Sequence, residues 1–199
     1  ALIGAASRTQ LFGDASVVAR YRDDPHVQVN GPGRSAVILG PSSDWTAHLD
    51  ALAEGVSLHD GRSCLNTSSI VTLGDEETAH ALAKALSARL QSTPSVNLGD
   101  PAKAHAVDAR IQGALKTPGA RDVTQASRGH GRCTESAAGH PTLAPTVVLC
   151  SDPQHPLARL ELPFPYASVT SVPKDALITW LGSTLSVATL GVDARLEQT

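Results

Sequence analysis

The chain has 199 residues, of which 41% are hydrophobic, 18% charged and 3% aromatic, and its formal net charge is −3. This size and composition predict one domain, or one and a half small ones, with an aliphatic core, and they exclude an intrinsically disordered chain. The slightly acidic balance argues against nucleic acid and against an anionic membrane as partners.

Apolar runs alternate with amphipathic patterns along the chain. The runs predict strands at Ala36–Leu39, Ser68–Leu73, Thr146–Leu149, Tyr166–Val172 and Thr184–Leu190. Helical periodicity predicts helices at Asp44–Leu58, Glu76–Leu90, Pro101–Leu115 and Lys174–Leu181. Strands that alternate with helices predict an α/β fold with a mainly parallel sheet flanked by helices.

Two segments lack such patterns. Gly, Arg, Thr, Ser and His dominate Lys116–Pro145, so we expect a long surface loop with at most a short ribbon. Within it, we interpret Arg128–Arg132 as a solvated loop rather than an anion site. Four prolines make Pro153–Pro165 irregular.

The cysteines indicate the cellular compartment of the protein, and the absence of methionine indicates whether the sequence is a fragment. Three cysteines, at positions 64, 133 and 150, fit neither a disulfide framework nor a zinc site, so we expect a reducing, cytoplasmic location. The sequence has no apolar run of about 18 residues and no signal-peptide pattern. It contains no Met, even at position 1, and we therefore expect a fragment of a longer protein.

Two sequence patterns that resemble ligand sites are interpreted structurally. Gly31–Ala36 matches a loose G-x-G-x-x-A, but a strand rather than a helix follows it, so we predict a tight turn and not a Rossmann dinucleotide site. The eight histidines form no H-E-x-x-H motif and no cluster with cysteine, so no metal site is predicted.

Cys64 lies in the small, polar segment Asp60–Ser68, between a predicted helix and a predicted strand. Such a turn can expose a thiol at the edge of a sheet beside free backbone N–H groups, which stabilise a thiolate and later an oxyanion. Arg62 can lower the pKa of that thiol further. The alternative is a buried structural cysteine.

Four motifs follow one another in the chain: Leu11–Asp14 (L-F-G-D), Asn30–Ile38 (N-G-P-G-R-S-A-V-I), Gly61–Thr67 (G-R-S-C-L-N-T) and Glu161–Pro165 (E-L-P-F-P). They resemble the F-T-G-S, E-L-G-G-K-S-P, nucleophile-loop and E-I-F-G-P motifs of the aldehyde dehydrogenase superfamily, in its carboxy-terminal, catalytic half. Asn30 precedes Cys64 by 34 positions and Glu161 follows it by 97, close to the family spacing.

The resemblance implies roles for individual residues. Cys64 matches the nucleophile, and Glu161 matches the Glu that holds a ribose of the cofactor, NAD or NADP. Gly13 and Asp14 match the turn near the nicotinamide. Asn30 stands where the family has its general-base Glu, and an amide cannot take a proton as a carboxylate does.

This departure favours the CoA-acylating branch and the acyl-CoA reductases, in which CoA as cosubstrate, rather than water, resolves the thioester on the cysteine. Two alternatives stay open: a non-catalytic pseudoenzyme or assembly module with this fold, and a hydrolytic aldehyde dehydrogenase that recruits its base elsewhere.

The resemblance also implies a domain organisation. Residues 1–30 match the end of the coenzyme-binding portion and a linker, and residues 31–199 match the catalytic domain. A Rossmann-like half before the chain and a tail after it are expected in the full-length protein. We expect that protein to be a homo-oligomer that acts on a small aldehyde or an acyl-CoA.

Overall fold

The structure, a computed structural model, describes residues 3–193, which form two compact units that divide between Gly33 and Arg34. The helices are α1 (Ala15–Tyr21), α2 (Leu49–Ser57), α3 (Glu76–Arg89), α4 (Pro101–Ala114), α5 (Val123–Arg128) and α6 (Leu177–Leu181). The strands are β1 (Thr9–Phe12), β2 (Val27–Asn30), β3 (Ala36–Leu39), β4 (Ser69–Leu73), β5 (Ala120–Asp122), β6 (Cys133–Glu135), β7 (Pro141–Leu143), β8 (Thr146–Cys150), β9 (Tyr166–Val172) and β10 (Val187–Leu190). Single 3₁₀ turns occupy Ile3–Ala5, Leu58–Gly61, Leu90–Ser92 and Lys174–Ala176.

The amino-terminal unit contains β1, α1 and β2, none of which the sequence analysis predicted. β1 and β2 pair in parallel, with Phe12 opposite Asn30. The Asp14 carboxylate caps α1, because it accepts the backbone N–H groups of Ser16 and Val17 at 2.9 and 3.2 Å.

The carboxy-terminal unit is built on a six-stranded sheet in the order β10-β3-β4-β9-β8-β5. The first five strands are parallel, and only the short β5 runs antiparallel to its neighbour β8. The predicted α/β fold class with a mainly parallel sheet is confirmed.

Both faces of this sheet are covered, which explains the nearly continuous apolar runs of its strands. On one face, α2 and α3 bury a layer that includes Leu52, Val56, Ala79, Leu82, Ala83 and Leu86 against Leu39, Ile70, Val147 and Val169. On the other face, α4, α6 and the irregular segment Pro153–Pro165 cover a second layer that includes Ile38, Val71, Val148, Ile111, Leu157, Phe164 and Trp180. Neighbouring strand residues such as Ile70 and Val71 therefore enter opposite layers.

Most predicted elements lie within a few residues of the observed ones. For two helices, the N-cap residue in the sequence explains the agreement. Asp75 caps α3 by accepting the N–H of Thr78 at 2.9 Å, and Asp100 caps α4 just before Pro101. The helix predicted at Asp44–Leu58 begins only at Leu49. The predicted catalytic domain extends to residue 199, and its last six residues lie outside the described part of the chain.

The surface loop predicted at Lys116–Pro145 is wrong except for its short ribbon, which is present as β6 and β7. The segment supplies β5 to the main sheet, then α5 and the β6–β7 ribbon. Arg132, expected in a solvated loop, is fully buried and donates to Asp108 Oδ1 at 2.6 Å, Asp122 Oδ2 at 2.5 Å and Thr146 Oγ1 at 3.0 Å. Because charged residues fill this part of the interior in pairs, no apolar periodicity marks it.

Candidate functional site

Cys64 occupies a tight turn between α2 and β4, as the sequence predicted. The Asn66 N–H donates to the Ser63 carbonyl at 3.0 Å, which leaves Cys64 and Leu65 as the two central residues of a β-turn. The Cys64 carbonyl accepts the Ser35 hydroxyl at 2.8 Å. Cys64 is half-buried and belongs to neither core layer, so the expectation of a buried structural cysteine does not apply to it.

The backbone N–H of Cys64 differs from the others in this turn. The N–H groups of Ser63, Leu65 and Asn66 donate to Asn66 Oδ1, Ser63 Oγ and the Ser63 carbonyl. Among residues 3–193, no acceptor lies within hydrogen-bond reach of the Cys64 N–H. An oxyanion site requires a free amide donor of this kind close to the attacking atom.

Left-handed backbone leads into the turn. His59, Asp60 and Gly61 have φ angles of 52°, 58° and 71° in succession. Gly61 packs directly against the segment that carries Glu161: a Cβ at this position would lie 2.3 Å from the Phe164 carbonyl carbon and 2.4 Å from Pro165 N. Only glycine combines this φ with this close approach.

We therefore expect Gly61→Ala to lower the free energy of unfolding more than Gly74→Ala does. Both positions have φ near 70°, which costs a non-glycine residue about 1–2 kcal/mol. A Cβ at Gly74 meets nothing within 4 Å, whereas one at Gly61 clashes with backbone, adding about 1–3 kcal/mol. Urea unfolding of both variants of the full-length protein measures the difference, and equal losses would show that the close approach does not matter.

Glu161 and Cys64 both accept hydrogen bonds from the same short segment, which precedes β3. The Arg34 N–H donates to Glu161 Oε2 at 2.5 Å, and the next residue, Ser35, binds the Cys64 carbonyl. Arg34 itself lies in the left-handed region, with a φ of 50°. The segments before β3 and β4 thus meet the Glu161 segment at the amino ends of the parallel strands.

Backbone hydrogen bonds join these strand ends, and a buried hydroxyl ties them to the segment before β9. The Ser68 N–H donates to the Ser35 carbonyl at 2.9 Å, and the Ser168 N–H donates to the Ser68 carbonyl at 3.0 Å. The Ser168 hydroxyl also donates to the Ala158 carbonyl at 2.6 Å, which fixes the chain that leads to Glu161. The strand ends therefore form a rigid support under the Cys64 turn.

The other two thiols, those of Cys133 and Cys150, lie in surroundings that disfavour the thiolate. Burial raises the pKa of the Cys150 thiol to about 12. Burial, followed by the Asp108 carboxylate, raises the pKa of the Cys133 thiol as well. Arg62, predicted to assist Cys64, donates to the Asn97 carbonyl at 2.6 Å and lies 3.9 Å from the Asp60 carboxylate.

The remaining predicted site residues lie in the amino-terminal unit. Asn30 ends β2, and its Nδ2 donates to the Leu11 carbonyl at 3.1 Å. Gly13 follows β1, and a Cβ there would lie 2.7 Å from the Val17 side chain, so the packing of α1 already requires a glycine. The Asp14 carboxylate is the cap of α1. The cofactor roles of Gly13 and Asp14 stay predictions.

Neither a metal cluster nor a bilayer-spanning helix occurs in the described residues. Between residues 3 and 193, no three His, Cys, Asp or Glu side chains are grouped so that they could hold a metal ion. In the same residues, no helix has both the length and the hydropathy that crossing a bilayer requires.

Sequence reasoning missed three residues of this site: Ser35, Gly61 and Asn66. Each lies within a quoted motif, but its contact is with a segment distant in the chain or with the end of a helix. Positive φ at Gly61 follows a run of polar turn residues, which is the only local signal present.

Comparisons with known proteins identify the fold. The chain superposes with TM-scores of 0.78, 0.77 and 0.76 on PnpE from Pseudomonas sp. WBC-3, a putative aldehyde dehydrogenase from Burkholderia cenocepacia and betaine aldehyde dehydrogenase from Staphylococcus aureus in complex with NAD+. Identities are 15%, 18% and 14%, and each match covers 97% of this chain. The chain spans 41–42% of the length of those structures. No family model and no curated protein sequence matches it.

The chain therefore has the fold of about two-fifths of an aldehyde dehydrogenase. This confirms the fold that the four motifs implied, although sequence comparison finds no relative. At such low identity the likeness establishes the fold and leaves the chemistry to the residues of the site.

Proposed function

We propose that the full-length protein containing this chain is an NAD(P)-dependent aldehyde oxidoreductase that acts through a thioester on Cys64. The observation that carries the proposal is the Cys64 turn: a half-buried thiol beside a backbone N–H that has no acceptor among the described residues. The aldehyde dehydrogenase fold supports it, because the motif that carries Cys64 is the one that resembles the family's nucleophile loop.

The chemistry at Cys64 follows from its geometry. The thiolate attacks the carbonyl carbon of the aldehyde, a C–S bond forms, and the π electrons move to oxygen, where the Cys64 N–H stabilises the charge. When the carbon then loses its hydrogen as hydride, with both electrons, the product on Cys64 is a thioester. The nicotinamide, when bound, supplies the acceptor for that hydride.

The Glu161 carboxylate suits a ribose-bearing cofactor. It is half-buried and oriented by the Arg34 N–H at 2.5 Å. A carboxylate has two oxygens and about four acceptor positions, so it can accept ribose hydroxyls besides that N–H. We propose this role for Glu161, with NAD or NADP as the cofactor.

We further propose that CoA releases the acyl group. Asn30 stands at the sequence position where the resemblance places the general base, and its amide cannot activate water. A thiol is far more acidic than water, so CoA can attack as its thiolate without such a base. Its sulfur bonds to the thioester carbon, the bond from that carbon to the Cys64 sulfur breaks, and acyl-CoA leaves with Cys64 returned as the thiolate. In reverse, acyl-CoA acylates Cys64 and CoA leaves, and a hydride, which a bound reduced nicotinamide would supply, then converts the Cys64 thioester into the aldehyde. We also propose that the full-length protein associates with other copies of itself. Its cytoplasmic location remains a prediction.

The rate at which iodoacetamide alkylates each cysteine tests this proposal against the alternative, a non-catalytic module with the same fold. With iodoacetamide near neutral pH, we expect Cys64 to react much faster than Cys133 and Cys150. At pH 8 the Cys150 thiolate fraction is only about one in ten thousand, since its pKa is about 12. Peptide mapping of the full-length protein over time gives the three rates. Equally slow labelling of all three would favour the module.

A further inference from the structure

We infer that Asn66 is a positioning residue, which holds the Cys64 turn in its reactive shape by joining it to the carboxyl end of α2. Its effect on turnover rests on the proposed function, whereas its effect on the Cys64 thiol does not. The amide is 8% exposed and forms hydrogen bonds on both of its polar atoms.

The carboxyl end of α2 needs donors from outside the helix. The last carbonyls of any helix lack intrahelical partners. α2 ends because Leu58 takes an extended ψ of 137°, after which the chain turns left-handed at His59. Asn66 Nδ2 donates to the Gly55 carbonyl at 3.0 Å and to the Leu58 carbonyl at 2.8 Å. The amide thus closes the helix with its two N–H groups.

The same side chain also closes the turn. Asn66 Oδ1 accepts the Ser63 N–H at 2.8 Å, in parallel with the backbone bond from the Asn66 N–H to the Ser63 carbonyl. Two bonds therefore fix the residue directly before Cys64. With these two bonds formed, three of the four backbone N–H groups of Ser63–Asn66 have an acceptor. Only the Cys64 N–H has none among the described residues.

Only a carboxamide of this length meets all these demands. Asp keeps the acceptor but places carboxylate oxygens against the Gly55 and Leu58 carbonyls, while Ala supplies neither donor nor acceptor. Without the amide, the turn loses its link to α2, and the thiol and the N–H lose their fixed relation. Reactions that depend on such alignment slow by about 100-fold for a displacement of 1 Å.

The test is Asn66→Ala in the full-length protein, with Thr170→Val as the control. Thr170 is buried and donates to the Cys150 carbonyl at 2.9 Å, so its replacement removes a buried hydrogen bond without touching the turn. For Asn66→Ala we expect kcat to fall about 10- to 100-fold with KM within about threefold. We expect Cys64 alkylation by iodoacetamide to slow about tenfold relative to Cys133. Thr170→Val should leave both rates near those of the wild type.

A second variant applies if Asn66→Ala does not fold. In Asn66→Asp, the carboxyl faces carbonyl oxygens, and its protonated form regains one donor. Its Cys64 alkylation rate, divided by that of the wild type, should therefore be closer to one at about pH 5.5 than at about pH 8. A ratio independent of pH would contradict the inference.

The outcomes are distinguishable. If folded Asn66→Ala alkylates Cys64 and turns over substrate within twofold of the wild type, the inference is wrong. If the wild type shows no turnover with any aldehyde or acyl-CoA, the proposed function fails, and the alkylation rates alone then decide the role of Asn66.

Discussion

Cys64→Ala is expected to abolish NAD(P)-dependent aldehyde oxidation and acyl-CoA reduction in the full-length protein. The substitution removes the sulfur that forms the covalent bond, and the chain offers no replacement, because the pKa of the Cys133 thiol is raised and Cys150 lies in the core. Loss of a nucleophile costs about 10⁴-fold or more in kcat. The change in absorbance of the nicotinamide cofactor measures it directly.

Cys133→Ala is the matched control and should retain the wild-type rate. Analysis of the products in the same assay separates the two chemical outcomes: with CoA present we expect acyl-CoA, and little free acid, because Asn30 supplies no base. Unchanged turnover in Cys64→Ala would end the nucleophile assignment. Free acid as the main product, formed at the same rate without CoA, would favour a hydrolytic enzyme.

Asp122→Ala is expected to destabilise the protein by about 3–5 kcal/mol, which is the usual cost of removing one partner from a buried ion pair. The Asp122 side chain is 3% exposed and pairs with two guanidinium groups, those of Arg128 and Arg132, which are 8% and 0% exposed. Its other oxygen caps α5 by accepting the Thr124 and Gln125 N–H groups, both at 3.0 Å. The variant leaves buried charge uncompensated and also loses a helix cap.

Asp50→Ala tests whether burial is the cause. Asp50 also pairs with an arginine, Arg89, but its side chain is 81% exposed, so we expect a loss of about 1 kcal/mol or less. Urea denaturation of both variants gives the comparison. Similar losses in the two variants would contradict the view that burial makes the Asp122 cluster costly to break.

The elements that sequence predicted well are those whose local pattern and tertiary environment agree. The stripe Ala79, Leu82, Ala83 and Leu86 follows helical spacing and is buried along α3 as expected. Asp75 marks the start of α3 because its carboxylate accepts the Thr78 N–H within the first turn of the helix. Such signals are local, so they can be read without the rest of the fold.

The segment of residues 116–145 shows where this reasoning fails. Arg132 is among the most buried of the described residues, although an arginine that follows the run Gly-His-Gly is typical of a solvated loop. Its burial is stabilised by Asp108 from α4 and Asp122 before α5, 24 and 10 residues earlier in the chain. No local pattern reports a partner at that distance.

The sequence by itself determined the α/β class, the order of most strands and helices, and the small polar turn that carries Cys64, because hydrophobic periodicity and turn residues act locally. Only the tertiary structure decided which groups meet around that thiol. Ser35 reaches the Cys64 carbonyl, Gly61 touches the Phe164–Pro165 backbone, and Asn66 ties the turn to α2. Such contacts depend on how the parallel strands align and where their amino ends lie, and that alignment exists only once the whole sheet has formed.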